Sequence, residues 1–118
     1  MKSSVRRYAA HFVYIAGVGF VRRQVVEVAG GRVSCVGLLE GEPENTEWIP
    51  NGIIALLPPA VGDGWRDAFA GEDACPVWPV LPDGWSRNDF FSLQPCSLIP
   101  FDLIALKPVA GTRRRLLL

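Results

Sequence analysis

The chain has 118 residues, enough for one hydrophobic core but not comfortably for two, so we expect residues 1–118 to form a single domain. Hydrophobic residues make up 49% and charged residues 20% of the chain, which excludes an intrinsically disordered or fibrous protein. The formal net charge is +0 at pH 7, which argues against a partner as highly charged as duplex DNA.

The first strand is predicted over Tyr8–Ile15, because this segment is rich in aromatic and β-branched residues. Alternation along the strand places four side chains on one face: Tyr8, Ala10, Phe12 and Tyr14. The other face is also largely apolar. We therefore expect this strand to lie centrally in its sheet, covered on both sides.

Two further strands are expected to complete an antiparallel meander. A turn at Gly17–Gly19 leads into a strand over Phe20–Ala29. The Gly30-Gly31 pair can adopt the positive φ angles that a two-residue hairpin turn requires. The chain then returns as a strand over Arg32–Leu39.

The following residues change from an acidic loop to an apolar strand. Glu40–Glu47 is predicted to be a polar loop, and Glu47–Pro50 a short edge segment, since proline cannot donate to a strand ladder. Asn51-Gly52 indicates a tight turn. Ile53–Leu57 is a compact apolar run, which predicts a buried strand that ends at Pro58-Pro59.

The segment Ala60–Pro95 holds three of the four tryptophans and repeats one tripeptide, as Asp63-Gly64-Trp65 and Asp83-Gly84-Trp85. A helical turn is predicted over Trp65–Ala70. A capping-box spacing indicates a second short helix over Asn88–Leu93. The apolar content is too high for a flexible linker, so we expect an ordered excursion packed over the sheet.

Two strands are predicted near the end of the chain, over Phe101–Leu106 and Thr112–Leu118. A last strand that pairs near the first would close the sheet. The expected fold is therefore mainly β: an antiparallel sheet, sandwich or barrel-like, with one or two short helices in a single β-rich domain.

Charge is segregated along the chain. Residues 1–32 carry +5, residues 33–105 carry −9 and residues 106–118 carry +4. Because chain termini often lie close together, the two basic ends could form one basic face. This face is interpreted as a solvated surface paired with the acidic loop Glu40–Glu47, and the alternative is a site for nucleic acid or anionic lipid.

The cysteines Cys35, Cys75 and Cys96 are odd in number and lack C-x-x-C spacing, which fits neither a disulfide framework nor a zinc site. Buried reduced thiols in a cytoplasmic protein are expected, with no metal and no cofactor. The apolar stretch Tyr8–Val21 after basic residues leaves a signal peptide as the alternative, although it is too short to span a bilayer.

Candidate chemistry is sparse. His11 is the only histidine, and on an apolar strand face it is expected to be a hydrogen-bonded structural residue. Asp102 lies at the mouth of an apolar strand, where desolvation could raise its pKa, and the alternative is a carboxylate that caps a loop or pairs with one of the arginines. No catalytic residue is predicted.

Part of the chain resembles the N-terminal β segment of amidohydrolase-superfamily enzymes. The matching features are a glycine turn followed by Gly31-Arg32-Val33, and a buried strand that ends in proline over Ile53–Pro58. In that family an H-x-H metal motif comes next, whereas this chain continues Pro59-Ala60-Val61-Gly62 and has no histidine after His11. The resemblance therefore implies only the β accessory domain and not the activity.

The whole chain also resembles a group of short bacterial proteins that share its opening and its F-D-L…K-P-V-A-G-T-R ending, here Phe101–Arg113. This second resemblance implies no function.

Two functions remain as hypotheses. The first is a non-catalytic module that self-associates or binds a protein partner, with no nucleic-acid or membrane partner. The second is a small-ligand binder or unusual enzyme that uses a tryptophan-lined pocket. Its candidate ligand-binding residues are Trp65, Trp85, Asp63, Asp83 and Asp102.

Overall fold

The computed structural model describes residues 5–38, 46–69, 77–79 and 92–117. These residues form a sheet of eight strands and one 3-10 helix. The elements in chain order are β1 (Val5–Ile15), β2 (Gly19–Ala29), β3 (Arg32–Leu38), β4 (Thr46–Trp48), β5 (Ile53–Leu57), the 3-10 helix (Pro59–Phe69), β6 (Val77–Trp78), β7 (Gln94–Asp102) and β8 (Lys107–Leu116). The mainly β fold with a short helix is thus confirmed.

The antiparallel meander β1–β2–β3 is confirmed. Strand β1 pairs with β2 from Val5 to Ile15, and β2 pairs with β3 beyond Gln24. The turn between β2 and β3 has φ angles of 61° at Gly30 and 79° at Gly31, a left-handed pair that side chains with a Cβ rarely adopt. The two glycines therefore fix the register of the hairpin.

The sheet is mixed, because β1 has parallel neighbours on its other side. The first half of β1 pairs with β4, with Tyr8 opposite Glu47, and the second half pairs with β5, with Val13 opposite Ile54. The strand order is β3-β2-β1-β5-β7-β8, and the sheet is not closed into a barrel. Strand β1 is central, as predicted. Strands β3 and β5 lie on opposite sides of β1, so β5 is not a further strand of the meander. It runs parallel to β1 rather than antiparallel.

The last two strands form a hairpin at one end of this strand order. Strand β7 starts at Gln94, well before the predicted Phe101, and the residues after Asp102 form a turn. Strand β8 pairs with β7 and not with β1, so it does not close the sheet. Pro100 lies at the register shift between Ile99 and Phe101, a place where a strand tolerates a residue without an N–H.

Apolar side chains cover both faces of the sheet around β5, whose five residues are all buried. Ile54 and Leu56 belong to the hydrophobic cluster on one face, here called the first cluster. Ile53, Ala55 and Leu57 belong to the cluster on the other face, the second cluster. A strand that is buried on both faces has a continuous apolar sequence, which is why this strand is recognisable without structural information.

The simple alternation predicted for β1 is wrong. Tyr8 and Ala10 belong to one hydrophobic cluster, whereas Phe12 and Tyr14 pack against the other. The side chains of β1 change face between Ala10 and Phe12. On the neighbouring strand β2, Arg23 lies beside this position and has a φ of 53°. Left-handed backbone in a strand reorients the following residues, so the inward side of the hairpin changes there.

The 3-10 helix packs two aromatic side chains onto the second cluster, those of Trp65 and Phe69. It is interrupted at Gly62, where φ is 49°. Within the described residues, no helix combines the length and the apolar character needed to cross a bilayer. The predicted helix over Asn88–Leu93 and the loop over Glu40–Glu47 fall mostly outside the described residues.

Candidate functional site

The predicted tryptophan site is only partly described, because Trp85 and Asp83 lie outside the described residues. Trp65 is 7% exposed and packs in the core, with its ring centroid 6.4 Å from that of Phe69. Asp63 is exposed on the same helix. The structure therefore places Trp65 in the core rather than in the wall of an open pocket.

Arg66, next to Trp65, joins the 3-10 helix to β8. Its guanidinium lies 4.6 Å from the centroid of the Trp65 ring and donates hydrogen bonds to three carbonyl oxygens of β8. The acceptors are Val109 at 3.1 Å, Ala110 at 3.3 Å and Thr112 at 2.9 Å. These contacts give the Asp63–Phe69 region a structural role in holding the helix against the sheet.

Asp102 caps the turn between β7 and β8. Its Oδ1 accepts hydrogen bonds from the backbone N–H groups of Ile104 and Ala105, both at 2.9 Å. These two hydrogen bonds, of which that from Ala105 has the larger effect, lower the pKa of Asp102 below its ordinary value. The expected rise by desolvation is wrong, because the two hydrogen bonds stabilise the negative form and outweigh the weaker effect of desolvation. The alternative interpretation, a loop-capping carboxylate, is confirmed.

His11 lies on an exposed part of β1, so its predicted place on a covered apolar face is wrong. Its imidazole packs edge-on against the indole of Trp48, with ring centroids 4.9 Å apart and planes at 90°. Trp48 itself is 42% exposed. Because the side chains change face between Ala10 and Phe12, His11 is exposed and does not lie in the core.

A solvent-accessible cleft of about 780 Å³, here called the terminal cleft, opens beside Trp48. It brings together β1, the β2–β3 turn, the segment from β4 to Pro50, and the β7–β8 hairpin. Its lining residues are Arg6, Tyr8, Gly30, Gly31, Glu47, Trp48, Ile49, Pro50, Ser97, Ile99, Arg115, Leu116 and Leu117. Both basic ends of the chain thus contribute an arginine to one concave surface.

The floor and the rim of the terminal cleft differ in exposure. Tyr8 is 5% and Ser97 is 4% exposed, whereas Leu116 is 40% exposed and Arg6 and Arg115 are open to solvent. A smaller groove of about 450 Å³ continues the surface, because it shares Arg6, Tyr8 and Glu47 with the terminal cleft. The two depressions are neighbours that share these three residues, and both have polar and apolar residues in their walls. Such a surface can bind an extended segment.

Cys96 is the one strongly shifted titratable group in the second cluster. Burial raises the pKa of its thiol to about 11, and the guanidinium of Arg114 is the main opposing influence. The thiol donates a hydrogen bond to the carbonyl oxygen of Ala55 at 3.4 Å. Cys96 and Cys35 are both free. A buried thiol with a raised pKa is a poor nucleophile, so Cys96 serves packing.

No protein-family model matches this chain, and comparison with curated proteins and with solved structures finds no match. The resemblance to the N-terminal β segment of amidohydrolases therefore stays a prediction, as does the resemblance to short bacterial proteins. The site has to be interpreted from its own geometry.

The candidate ligand-binding residues predicted from the sequence do not include Trp48, Ser97 or Leu116, which line the terminal cleft. The available signal was the charge segregation, since Arg6 and Arg115 come from the two basic ends. Nothing in the local sequence distinguishes Trp48 from the other tryptophans. Its exposure follows from its position on a three-residue strand next to β1.

Proposed function

We propose that this chain is a non-catalytic binding module and that the terminal cleft takes up a segment of a protein partner. The observation that carries the proposal is that Trp48, which is 42% exposed, lines one concave surface together with arginines from both ends of the chain. Tryptophan and arginine are the residues that most often dominate the binding energy of protein interfaces. A second copy of the chain is one such partner, through complementary charge.

The shape of the site supports a chain segment as the occupant. The smaller groove extends the terminal cleft along Val5–Tyr8 and Thr46–Glu47. Exposed apolar side chains occur along this path, with Val5 at 39% and Leu116 at 40% exposure. An extended peptide can contact both depressions, whereas a compact ligand fills only one.

A small-molecule ligand is the second candidate, and the cavity volume favours it. About 780 Å³ lies within the range of ordinary ligand pockets, which is roughly 300–1,000 Å³. The pocket that supports this candidate is the terminal cleft and not the surroundings of Trp65. A thermal-shift screen of small molecules distinguishes the candidates, because a small ligand stabilises the chain without any peptide.

The test is selection of binders from a random peptide display library on the immobilised full chain. Affinities of the selected peptides are then measured for the wild type, Trp48→Ala and Trp78→Ala. Trp78 is a matched control, because it is 40% exposed against 42% for Trp48 and does not line the cleft. We expect Trp48→Ala to weaken binding about tenfold or more, and Trp78→Ala to leave it unchanged.

Two results would contradict the proposal: failure to select any peptide, and equal losses in the two tryptophan variants. Circular dichroism of each variant separates a lost contact from a lost fold.

We also propose a cytoplasmic location. It is supported by the free thiols of Cys35 and Cys96, since reduced cysteines persist in reducing compartments. Labelling of the half-buried Cys35 in intact cells with a permeant and an impermeant thiol reagent tests this location, and labelling by the impermeant reagent would contradict it.

A further inference from the structure

One cross-strand pair of the β7–β8 hairpin presents polar groups to the terminal cleft. Ser97 lies opposite Arg115, and both residues line the cleft. Directly opposed residues on antiparallel strands point to the same face, with Cβ atoms about 4.5–5.5 Å apart. The Ser97 hydroxyl on the floor and the Arg115 guanidinium on the rim therefore form one donor surface.

The opposite wall adds a second cation. Arg6 on β1 lines both the terminal cleft and the smaller groove, and the one acid among the lining residues is Glu47. Arg7 forms an ion pair with Glu27 at 3.9 Å. Within the described ranges, neither Arg6 nor Arg115 has such an ion pair. Both arginines are exposed residues that line the cleft.

We infer that the terminal cleft selects acidic peptide segments, with partner carboxylates bound by Arg115 and Arg6 and with Trp48 packing against the peptide. This inference rests on the proposed function. A guanidinium matches a carboxylate in shape and charge through two parallel hydrogen bonds, and the Ser97 hydroxyl provides a further donor.

Glu47 and the overall charge argue for a peptide rather than a nucleic acid. A continuous phosphate backbone would pass close to Glu47 on its way between the two depressions, whereas an acidic peptide carries its charges at separate side chains. The formal net charge of +0 also gives no long-range attraction for a polyanion. The cleft is a local cationic site on a neutral molecule.

The test titrates the full chain with capped hexaglutamate, hexaasparagine and hexalysine and with an oligothymidylate of six nucleotides. We expect hexaglutamate to bind at least about tenfold more tightly than the other three ligands. Arg115→Glu and Arg6→Glu should each weaken this binding about tenfold or more, and Ser97→Ala a few-fold. Arg114→Glu is the matched control on the same strand, since Arg114 acts on Cys96 at the other face, and it should change little.

Three results would overturn the inference: equal affinity for hexaglutamate and hexaasparagine, equal affinity for hexaglutamate and the oligonucleotide, or equal losses in Arg115→Glu and Arg114→Glu. If neutral or basic peptides from the display library bind the wild type and lose affinity in Trp48→Ala, the proposed function stands and only the preference for acidic segments is wrong. Because Arg6 and Arg115 are exposed on different strands, misfolding of one variant leaves the other as a test.

Discussion

Gly52 is a residue whose missing side chain the sheet requires. A Cβ at this position would overlap the carbonyl oxygen of Leu98 and would lie 2.6 Å from Ile99 Cγ1. The preceding residue, Asn51, has a φ of 56°, a conformation that asparagine tolerates better than most residues. The Asn51-Gly52 turn was recognisable from sequence, but the close approach of β7 to it was not, since that approach is a long-range contact.

We expect Gly52→Ala to destabilise the chain by about 1–3 kcal/mol, because backbone atoms of β7 must move to accommodate the methyl group. Gly37→Ala is the control, since a Cβ there meets no atom within 4 Å. Urea denaturation measures both free energies of unfolding. Similar values for the two variants would show that the Gly52 turn tolerates the added atom.

Cys96 makes stability depend on pH, because burial raises the pKa of its thiol from 9.0 to about 11. Below pH 9 the thiol is protonated in the folded and in the unfolded chain, so the buried thiol contributes fully to stability. Between pH 9 and pH 11 the unfolded chain loses the proton while the folded chain keeps it, so stability falls as pH rises.

We expect the free energy of unfolding of the wild type to fall by about 2 kcal/mol more than that of Cys96→Ala between pH 9 and pH 11. Denaturant titrations at several pH values measure both curves, and the variant serves as the control for lysine and tyrosine titration. Parallel curves would mean that the thiol ionises as easily in the folded state as in the unfolded one.

At the scale of elements, the contact between the 3-10 helix and β8 depends on Arg66. Its three hydrogen bonds join residues more than 40 positions apart in the chain. The sequence predicted a helical turn near Trp65 and a strand near Thr112, but no local pattern relates one to the other. The sequence did not distinguish Arg66 from other surface charges, because its role depends on the position of β8 in the fold.

We expect Arg66→Ala to lower stability by about 1 kcal/mol, since the side chain is exposed and each hydrogen bond competes with water. Hydrogen exchange should become faster at the amide of Val109, which donates to Thr112 Oγ1 next to the Arg66 acceptors. Asp67→Ala, an exposed change on the same helix, should leave this exchange rate unaltered. Unchanged exchange in Arg66→Ala would show that β8 is held by its pairing with β7 alone.

Strand boundaries were predictable where composition changes sharply. Ile53–Leu57 was predicted with the bounds observed for β5, because an apolar strand lies between a turn and two prolines. Strand β7 was predicted to begin seven residues too late. Pro95 and Pro100 discourage a strand prediction, yet Pro95 pairs opposite Leu56 and Pro100 lies at an irregularity.

At the scale of the whole molecule, the terminal cleft is formed by the order in which distant strands pair. Strand β4 joins the free side of β1, and the β7–β8 hairpin contributes the opposite wall. Arg6 and Arg115 are more than one hundred residues apart, yet they line the same cleft. Charge segregation in the sequence indicated that the two basic ends could share a face, and this was the part of the site that could be predicted.

The sequence by itself determined the local features: the meander with its Gly30-Gly31 turn, the doubly buried β5 and a β-rich fold with little helix. These depend on the alternation of side chains and on backbone preferences within a few residues. Only the tertiary structure decided that β5 runs parallel to β1, that Trp65 is buried while Trp48 is exposed, and that Asp102 caps a turn. Those outcomes depend on contacts between distant strands, whose free energies no local pattern encodes.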